Sequence, residues 1–137
     1  MNKKRVALIA HDHKKDELVE WAVFHKTKLA ECELFATSTT GGLIEKALNI
    51  AVTKLKSGPF GGDQQIGALI ADGKIDALVF FWDPLHPLPH DQDIKALLRI
   101  AVLWNIPVAN NRTTADFIIS SPLFFGQYNR KMPDLKI

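Results

Sequence analysis

Several things are scarce in this sequence. Among its 137 residues there is one cysteine, Cys32, so no disulfide can close within the chain. No nearby group in the sequence would activate that thiol, and it reads as structural. The longest strictly apolar run is Ala77–Trp82, far short of the ~18 residues that suggest a membrane span. Charge of one sign is also lacking. Lysine and arginine total 17 against 15 acidic residues, a net charge of +2, with short basic clusters only at Lys3–Arg5 and Arg130–Lys131. Nucleic-acid binding needs a concentrated positive face, so that class is set aside. Internal repeats and low-complexity tracts are missing. So are the Walker lysine pattern and G-x-G-x-x-G, which argues against a nucleoside triphosphate or a dinucleotide. The apolar stretch Val6–Ala10 is shorter than the ~7–15 residues of a secretory leader. The expected location is the cytoplasm, with no membrane partner.

What is present is an ordinary globular composition, 47% hydrophobic and 23% charged, and a length that suits one domain over 1–137. Short apolar runs alternate with segments of helical period. Val6–Ala10 predicts a buried strand, and Asp16–His25 a helix through Leu18, Trp21 and Ala22. A strand at Glu33–Ala36 and a helix at Gly42–Asn49 follow. Next come a strand at Ala51–Leu55 and a helix at Asp63–Ala71 for which Asp63 suits the N-cap. Ala77–Trp82 is apolar on both faces, as a central parallel strand is. A helix at Asp91–Leu103, a strand at Pro107–Asn110 and a helix at Thr114–Ser120 complete the series. Ser121–Ile137 has no strong period. Five βα units in succession predict an α/β fold with helices on both faces of a parallel sheet.

In such sheets ligands bind beyond the carboxyl ends of the strands, so the residues after each strand are the candidates. The first strand leads into His11-Asp12-His13-Lys14-Lys15. The second leads into Thr37-Ser38-Thr39-Thr40-Gly41-Gly42 and the third into Ser57-Gly58-Pro59-Phe60-Gly61-Gly62-Asp63. The fourth leads into Asp83-Pro84 and then His90-Asp91-Gln92-Asp93. Hydroxyls and backbone N–H groups at a helix start can surround a phosphate, or simply cap and turn. Lys15 offers a point charge to a phosphate dianion, or is an exposed helix-start lysine. Asp63 is an N-cap, or a base that abstracts a proton from a phosphorylated substrate. His11 and His13, two apart, share a face if the strand continues. With His90 and Asp93 they compose a possible metal set, which would suit a metal-dependent hydrolase.

Taken together, these stretches resemble the methylglyoxal synthase family. The matching segments are A-H-D-H-K-K at 10–15, F-A-T-S-T-T-G at 35–41, S-G-P-F-G-G-D-Q-Q-I-G-A-L-I at 57–70, D-A-L-V-F-F-W-D-P-L at 76–85, P-H-D-Q-D-I-K-A-L-L-R at 89–99 and W-N-I-P-V-A-N at 104–110. The resemblance implies a three-layer α/β/α sandwich whose five-stranded parallel sheet has the order 3-2-1-4-5. It implies a lyase that converts dihydroxyacetone phosphate to methylglyoxal and inorganic phosphate through an enediolate, with no metal and no organic cofactor. It also implies a homo-oligomer, with a hexamer favoured, and inorganic phosphate as product and candidate regulator.

By the same resemblance Asp63 is the general base, and His90 contacts substrate oxygens and shuttles protons. His11 binds substrate. Lys15, Thr37, Ser38, Thr39, Thr40, Ser57 and Gly58 form the phosphate-binding set. Asp12, Asp83 and Asp93 occupy acidic positions that orient the histidines or tune Asp63. Ser38 departs from the pattern, since relatives often carry glycine there. The other reading of this fold is a non-catalytic effector-binding domain, like that of carbamoyl phosphate synthetase. Such a domain would not need Asp63 and His90 together.

Overall fold

The computed structural model describes residues 3–86 and 91–135. Five strands, β1 (Arg5–Ala10), β2 (Glu33–Thr37), β3 (Val52–Leu55), β4 (Ala77–Phe81) and β5 (Val108–Ala109), form one parallel sheet in the order β3-β2-β1-β4-β5. The helices are α1 (Lys15–Phe24), α2 (Lys26–Leu29), α3 (Ser38–Leu48), α4 (Gly62–Ala71), α5 (Asp91–Leu103), α6 (Arg112–Ser120) and α7 (Pro122–Phe125).

The period of two along the central strands builds both cores. Val6, Leu8 and Ala10 of β1 and Ala77, Val79 and Phe81 of β4 face one layer. There they meet Leu18, Trp21 and Ala22 of α1, Ile44 and Leu48 of α3, and Ala115 and Ile119 of α6. Ala7 and Ile9 of β1 and Leu78 and Phe80 of β4 face the other layer, against Ile66 and Ile70 of α4 and Ile94, Leu97 and Ala101 of α5. Each large side chain buried this way contributes roughly 1.5–3 kcal/mol. The expected three layers and strand order are therefore observed. A right-handed crossover puts its helix on one face when the chain moves one way along the sheet, and on the other face when it reverses. The chain moves outward from β1 through β2 to β3, with α1 and α3 on one side. It then returns to β4 and on to β5, with α4 and α5 on the other. The reversal leaves a crevice at the carboxyl ends of β1 and β4.

The largest difference from the sequence reading is α3, which begins at Ser38 rather than Gly42. Hydroxyl and glycine residues are weak helix formers, but here packing decides. A Cβ on Gly41 would lie 2.6 Å from Lys54 Cγ and 3.4 Å from Ala36 Cβ, so the first turn is drawn close to the sheet. The chain after β1 forms a 3₁₀ turn at Asp12–Lys14 instead of continuing the strand, so His11 and His13 do not share a strand face. A second 3₁₀ turn, Gly58–Phe60, precedes α4. The tail also holds α7, which opens with Pro122 and is capped by Ser121, whose Oγ accepts the Leu123 N–H at 3.1 Å.

Cys32 is buried, its thiol donates to the Lys28 carbonyl at 3.5 Å, and burial pushes its pKa up to about 11, which makes it unreactive. Trp21 lies fully in the core, whereas Trp82 stays 39% exposed. Across the α1–α6 contact, His25 Nε2 lies 2.8 Å from Asp116 Oδ1.

The tightest approach is at the start of α4. Gly61 turns the chain with φ +101°, and a Cβ on Gly62 would sit 1.8 Å from the Lys56 carbonyl oxygen. The alanine variant Gly62→Ala therefore has to move main chain. Overpacking of this kind costs about 3 kcal/mol, which lowers the urea midpoint by at least about 1 M. An unchanged midpoint would show that the loop accommodates a methyl group freely.

Candidate functional site

A cavity of about 430 Å³ opens at the carboxyl ends of β1 and β4, lined also by residues that follow β2 and β3. Each strand end delivers a different chemistry to it. From β1 come His11, Asp12, His13 and Lys15; from β2, Thr37 and Thr39; from β3, Ser57, Gly58, Pro59 and Asp63; from β4, Phe80, Asp83 and His86. A second cavity, of about 340 Å³, lies at the opposite end of the sheet beside Lys4, Asp76, Tyr128 and Arg130. It contains none of the sequence-predicted site residues.

Asp63 is the second residue of α4, so it is not the N-cap; Gly61 holds that position in a left-handed conformation. The carboxylate is 4% exposed and sits in the first helical turn, where the helix dipole favours negative charge. Gly58 lies directly above it. A Cβ there would be 3.7 Å from Asp63 Oδ1 and 4.0 Å from Oδ2. Glycine at 58 leaves space over the carboxylate for a ligand.

His11 leaves β1 with its backbone N–H on the Phe81 carbonyl at 3.2 Å. Its ring stands edge-on to Phe80, with centroids 5.1 Å apart. The Asp83 backbone N–H donates to His11 Nδ1 at 2.9 Å. A backbone amide can only donate, so Nδ1 accepts and the neutral ring carries its proton on Nε2. The contact from residue 83 to this ring is thus made by its main chain. Its buried carboxylate accepts the Leu85 N–H at 3.1 Å through Oδ1, and Oδ2 lies 3.8 Å from His86 Nε2.

Thr37 precedes α3 in an extended conformation and makes no side-chain cap bond. The first-turn N–H groups of Ser38, Thr39 and Thr40 have no intrahelical acceptors. Only Thr37 and Thr39 of the hydroxyl run line the cavity. Ser38 is exposed beside it, and Thr40 is buried with its Oγ1 lacking a hydrogen-bond partner among the described residues. Ser57 lines the cavity, and its carbonyl accepts the Phe60 and Gly62 N–H groups at 3.0 Å each. That fixes the glycine turn.

Lys15 is the one lysine or arginine among the described lining residues. It donates to Asp12, whose carboxylate is largely exposed. This hydrogen bond and the ammonium charge hold the Asp12 carboxyl below its ordinary value of 3.8.

His90 lies outside the described residues. Asp93 sits in the first turn of α5, half-buried, and does not line the cavity. The suggested metal set of His11, His13, His90 and Asp93 is therefore not brought together among the described residues. His13 instead faces His86, which the sequence reading passed over. Phe80 was hidden in the same way, inside an apolar strand whose second role no local pattern announces.

Fold and site together define a doubly wound α/β protein. One cavity of it brings together a buried carboxylate, a tautomer-fixed histidine and residues at a helix N-terminus. The family model described as "MGS-like domain" matches residues 17–110. A methylglyoxal synthase of Pseudoalteromonas atlantica is 62% identical over 132 residues, 96% of this chain and 98% of that protein. One of Erwinia tasmaniensis is 58% identical, covering 98% of this chain and 88% of its own. The crystal structure of methylglyoxal synthase from Elizabethkingia anophelis NUHP1 superposes with a TM-score of 0.92 at 51% identity, over 98% of this chain and 88% of that one. The chain belongs to the methylglyoxal synthase family.

The Asp12–Lys15 pair yields a direct test. Asp12 has a lowered folded-state pKa, so the pair's stabilising effect is present above the unfolded carboxylate pKa and is lost as pH falls through the folded one. In Lys15→Ala the Asp12 side-chain carboxyl carbon, followed by NMR, titrates at a higher pH than in the parent. Coincident curves would mean that the ion pair is not formed in solution.

Proposed function

We propose that the chain converts dihydroxyacetone phosphate to methylglyoxal and inorganic phosphate. The observation that carries this reading is the meeting, in one cavity, of the buried Asp63 carboxylate, the Nε2–H side of His11 and an anion-accepting rim of Lys15, Ser57 and the α3 N-terminus. In the reaction Asp63 takes a proton from the hydroxymethyl carbon. The carbon–hydrogen pair becomes the new carbon–carbon double bond of an enediolate. His11 donates its Nε2–H to the oxygen on which charge develops, where a preorganised donor is worth most. Electrons then return from the terminal oxygen to form an aldehyde, the double bond shifts, and the carbon–oxygen bond to phosphate breaks with its pair. The resulting enol takes a proton at its methylene carbon to give methylglyoxal. His90, by the family resemblance, moves protons between the substrate oxygens.

The phosphate dianion is held by the Lys15 ammonium, drawn from Asp12, and by the first turn of α3. Thr37, Thr39, Ser57 and Gly58 complete that cradle. Ser38 and Thr40 do not line the cavity, and their part in the cradle is limited to the first-turn N–H groups of α3. Asp12, Asp83 and Asp93 are positioning residues in this scheme. Inorganic phosphate, as product, competes for the same cradle.

We also propose that the chains assemble as a homo-oligomer, a hexamer by the family resemblance, in the cytoplasm. Phe24 on α1, Val102 on α5 and Phe117 on α6 are 76%, 72% and 72% exposed, apolar side chains that contacts between chains would cover. Among the described residues no helix is long and apolar enough to cross a membrane. Light scattering of the purified protein is expected to give a multiple of the chain mass, and a monomer at micromolar concentration would overturn the assembly.

The activity is tested with purified protein and dihydroxyacetone phosphate in the presence of chelator, following methylglyoxal and phosphate together. Equal release of both is expected. Asp63→Asn abolishes turnover while keeping phosphate-analogue affinity within about tenfold, or about 1.4 kcal/mol. Lys15→Ala raises KM strongly. Retention of parental activity by Asp63→Asn would remove the assigned base. Ligand binding without release of either product would replace the enzyme with the effector-binding reading.

A further inference from the structure

His13 and His86 have no part in the reaction proposed above, yet they meet at the rim of its cavity. They arrive from distant parts of the chain, His13 on the 3₁₀ turn after β1 and His86 in the segment after β4. Their rings stack with centroids 4.1 Å apart and planes inclined by 29°. Beneath them lies the buried Asp83 carboxylate. One donor atom from each of His13, Asp83 and His86 lies within 4.8 Å of the other two.

We propose that His13, Asp83 and His86 form a binding site for a divalent transition-metal ion of the zinc class, and that its occupancy inhibits the enzyme. Two imidazoles and one carboxylate are a borderline ligand set, suited to zinc, cobalt or nickel and ill suited to magnesium or calcium, which select oxygen cages. Metal–ligand bonds near 2.0–2.1 Å place tetrahedral donor atoms about 3.4 Å apart. The observed separation therefore closes by a modest turn of two side chains. Both histidines are exposed, so that turn displaces no residue of the core. The carboxylate is already oriented. Its Oδ1 accepts the Leu85 N–H at 3.1 Å, and Oδ2 faces His86 Nε2 at 3.8 Å. A hydrogen bond that fixes a ligating carboxylate in this way is the usual outer support of a metal site.

Three protein ligands leave a fourth position open. All three residues line the cavity, so the open position faces the space that the substrate occupies. An ion there takes up room at the mouth. It also offers its vacant position to the substrate's phosphate or carbonyl oxygen, away from Asp63. Binding at these residues stands without the proposed reaction; only the inhibitory effect rests on that reading.

The test uses the full chain in a buffer without phosphate. Cobalt(II) titration followed by visible absorption, with zinc equilibrium dialysis in parallel, is expected to give one ion per chain with tetrahedral-type bands. His13→Ala and His86→Ala each weaken uptake at least tenfold and keep metal-free turnover. His86→Cys restores zinc binding and adds a thiolate-to-cobalt charge-transfer band. Zinc suppresses turnover of the parent reversibly on addition of chelator, and the two alanine variants need at least tenfold more zinc for the same effect. Equal uptake by the parent and both alanine variants, or no stoichiometric uptake by the parent, would overturn the site. Stoichiometric binding with unchanged turnover would overturn the inhibition. If the parent has no turnover at all, the spectrum and the dialysis still decide the site.

Discussion

A parallel strand can be rejoined only by a crossover of one hand, and the placing of the site follows from that constraint. Because β1 and β4 are buried on both faces, their alternating side chains recruit α1, α3 and α6 on one side and α4 and α5 on the other. The chain must reverse direction between the two halves, and the reversal opens a gap that no crossover covers. Four strand ends converge on that gap. The polar residues that follow them gain no core by folding, so they remain available for chemistry.

The gap has an unusual electrostatic balance. Asp12, Asp63 and Asp83 line it, against one lysine among the described residues. A site for a dianion built in this way cannot rely on net positive charge. It relies instead on backbone N–H groups at the α3 N-terminus and on the Lys15 ammonium. That shortage leaves Lys15 as the single cationic side chain on offer to a dianion among the described lining residues. It also makes the Asp12–Lys15 pair sensible, since an exposed carboxylate holds the ammonium in place at little cost when the cavity is empty.

Much of this is legible in the residues alone. The doubly apolar run at Ala77–Phe81 marks a central strand, and the alternation of strand and helix periods gives the layers. Asp63, His11, Lys15, Thr37, Thr39, Ser57 and Gly58 were all indicated by their place after a strand, and all reach the cavity. The misses have physical reasons. Composition argued against helix at Ser38–Gly41, but close packing on β3 overrides propensity. Strand geometry was assumed past Ala10, where a 3₁₀ turn re-aims His13 toward His86. His86 carries no local signal, because its partners lie far away in sequence. Asp83 was read for its carboxylate, whereas its amide sets the tautomer of His11.

That last contact has a genetic consequence. The donor that fixes the His11 proton on Nε2 belongs to the main chain, so it survives almost any codon change at position 83. Proline alone deletes it, because proline alone has no amide hydrogen. Mutational drift at this position can therefore alter the charge beside the cavity while the histidine keeps its orientation. The carboxylate is free to be selected for another purpose.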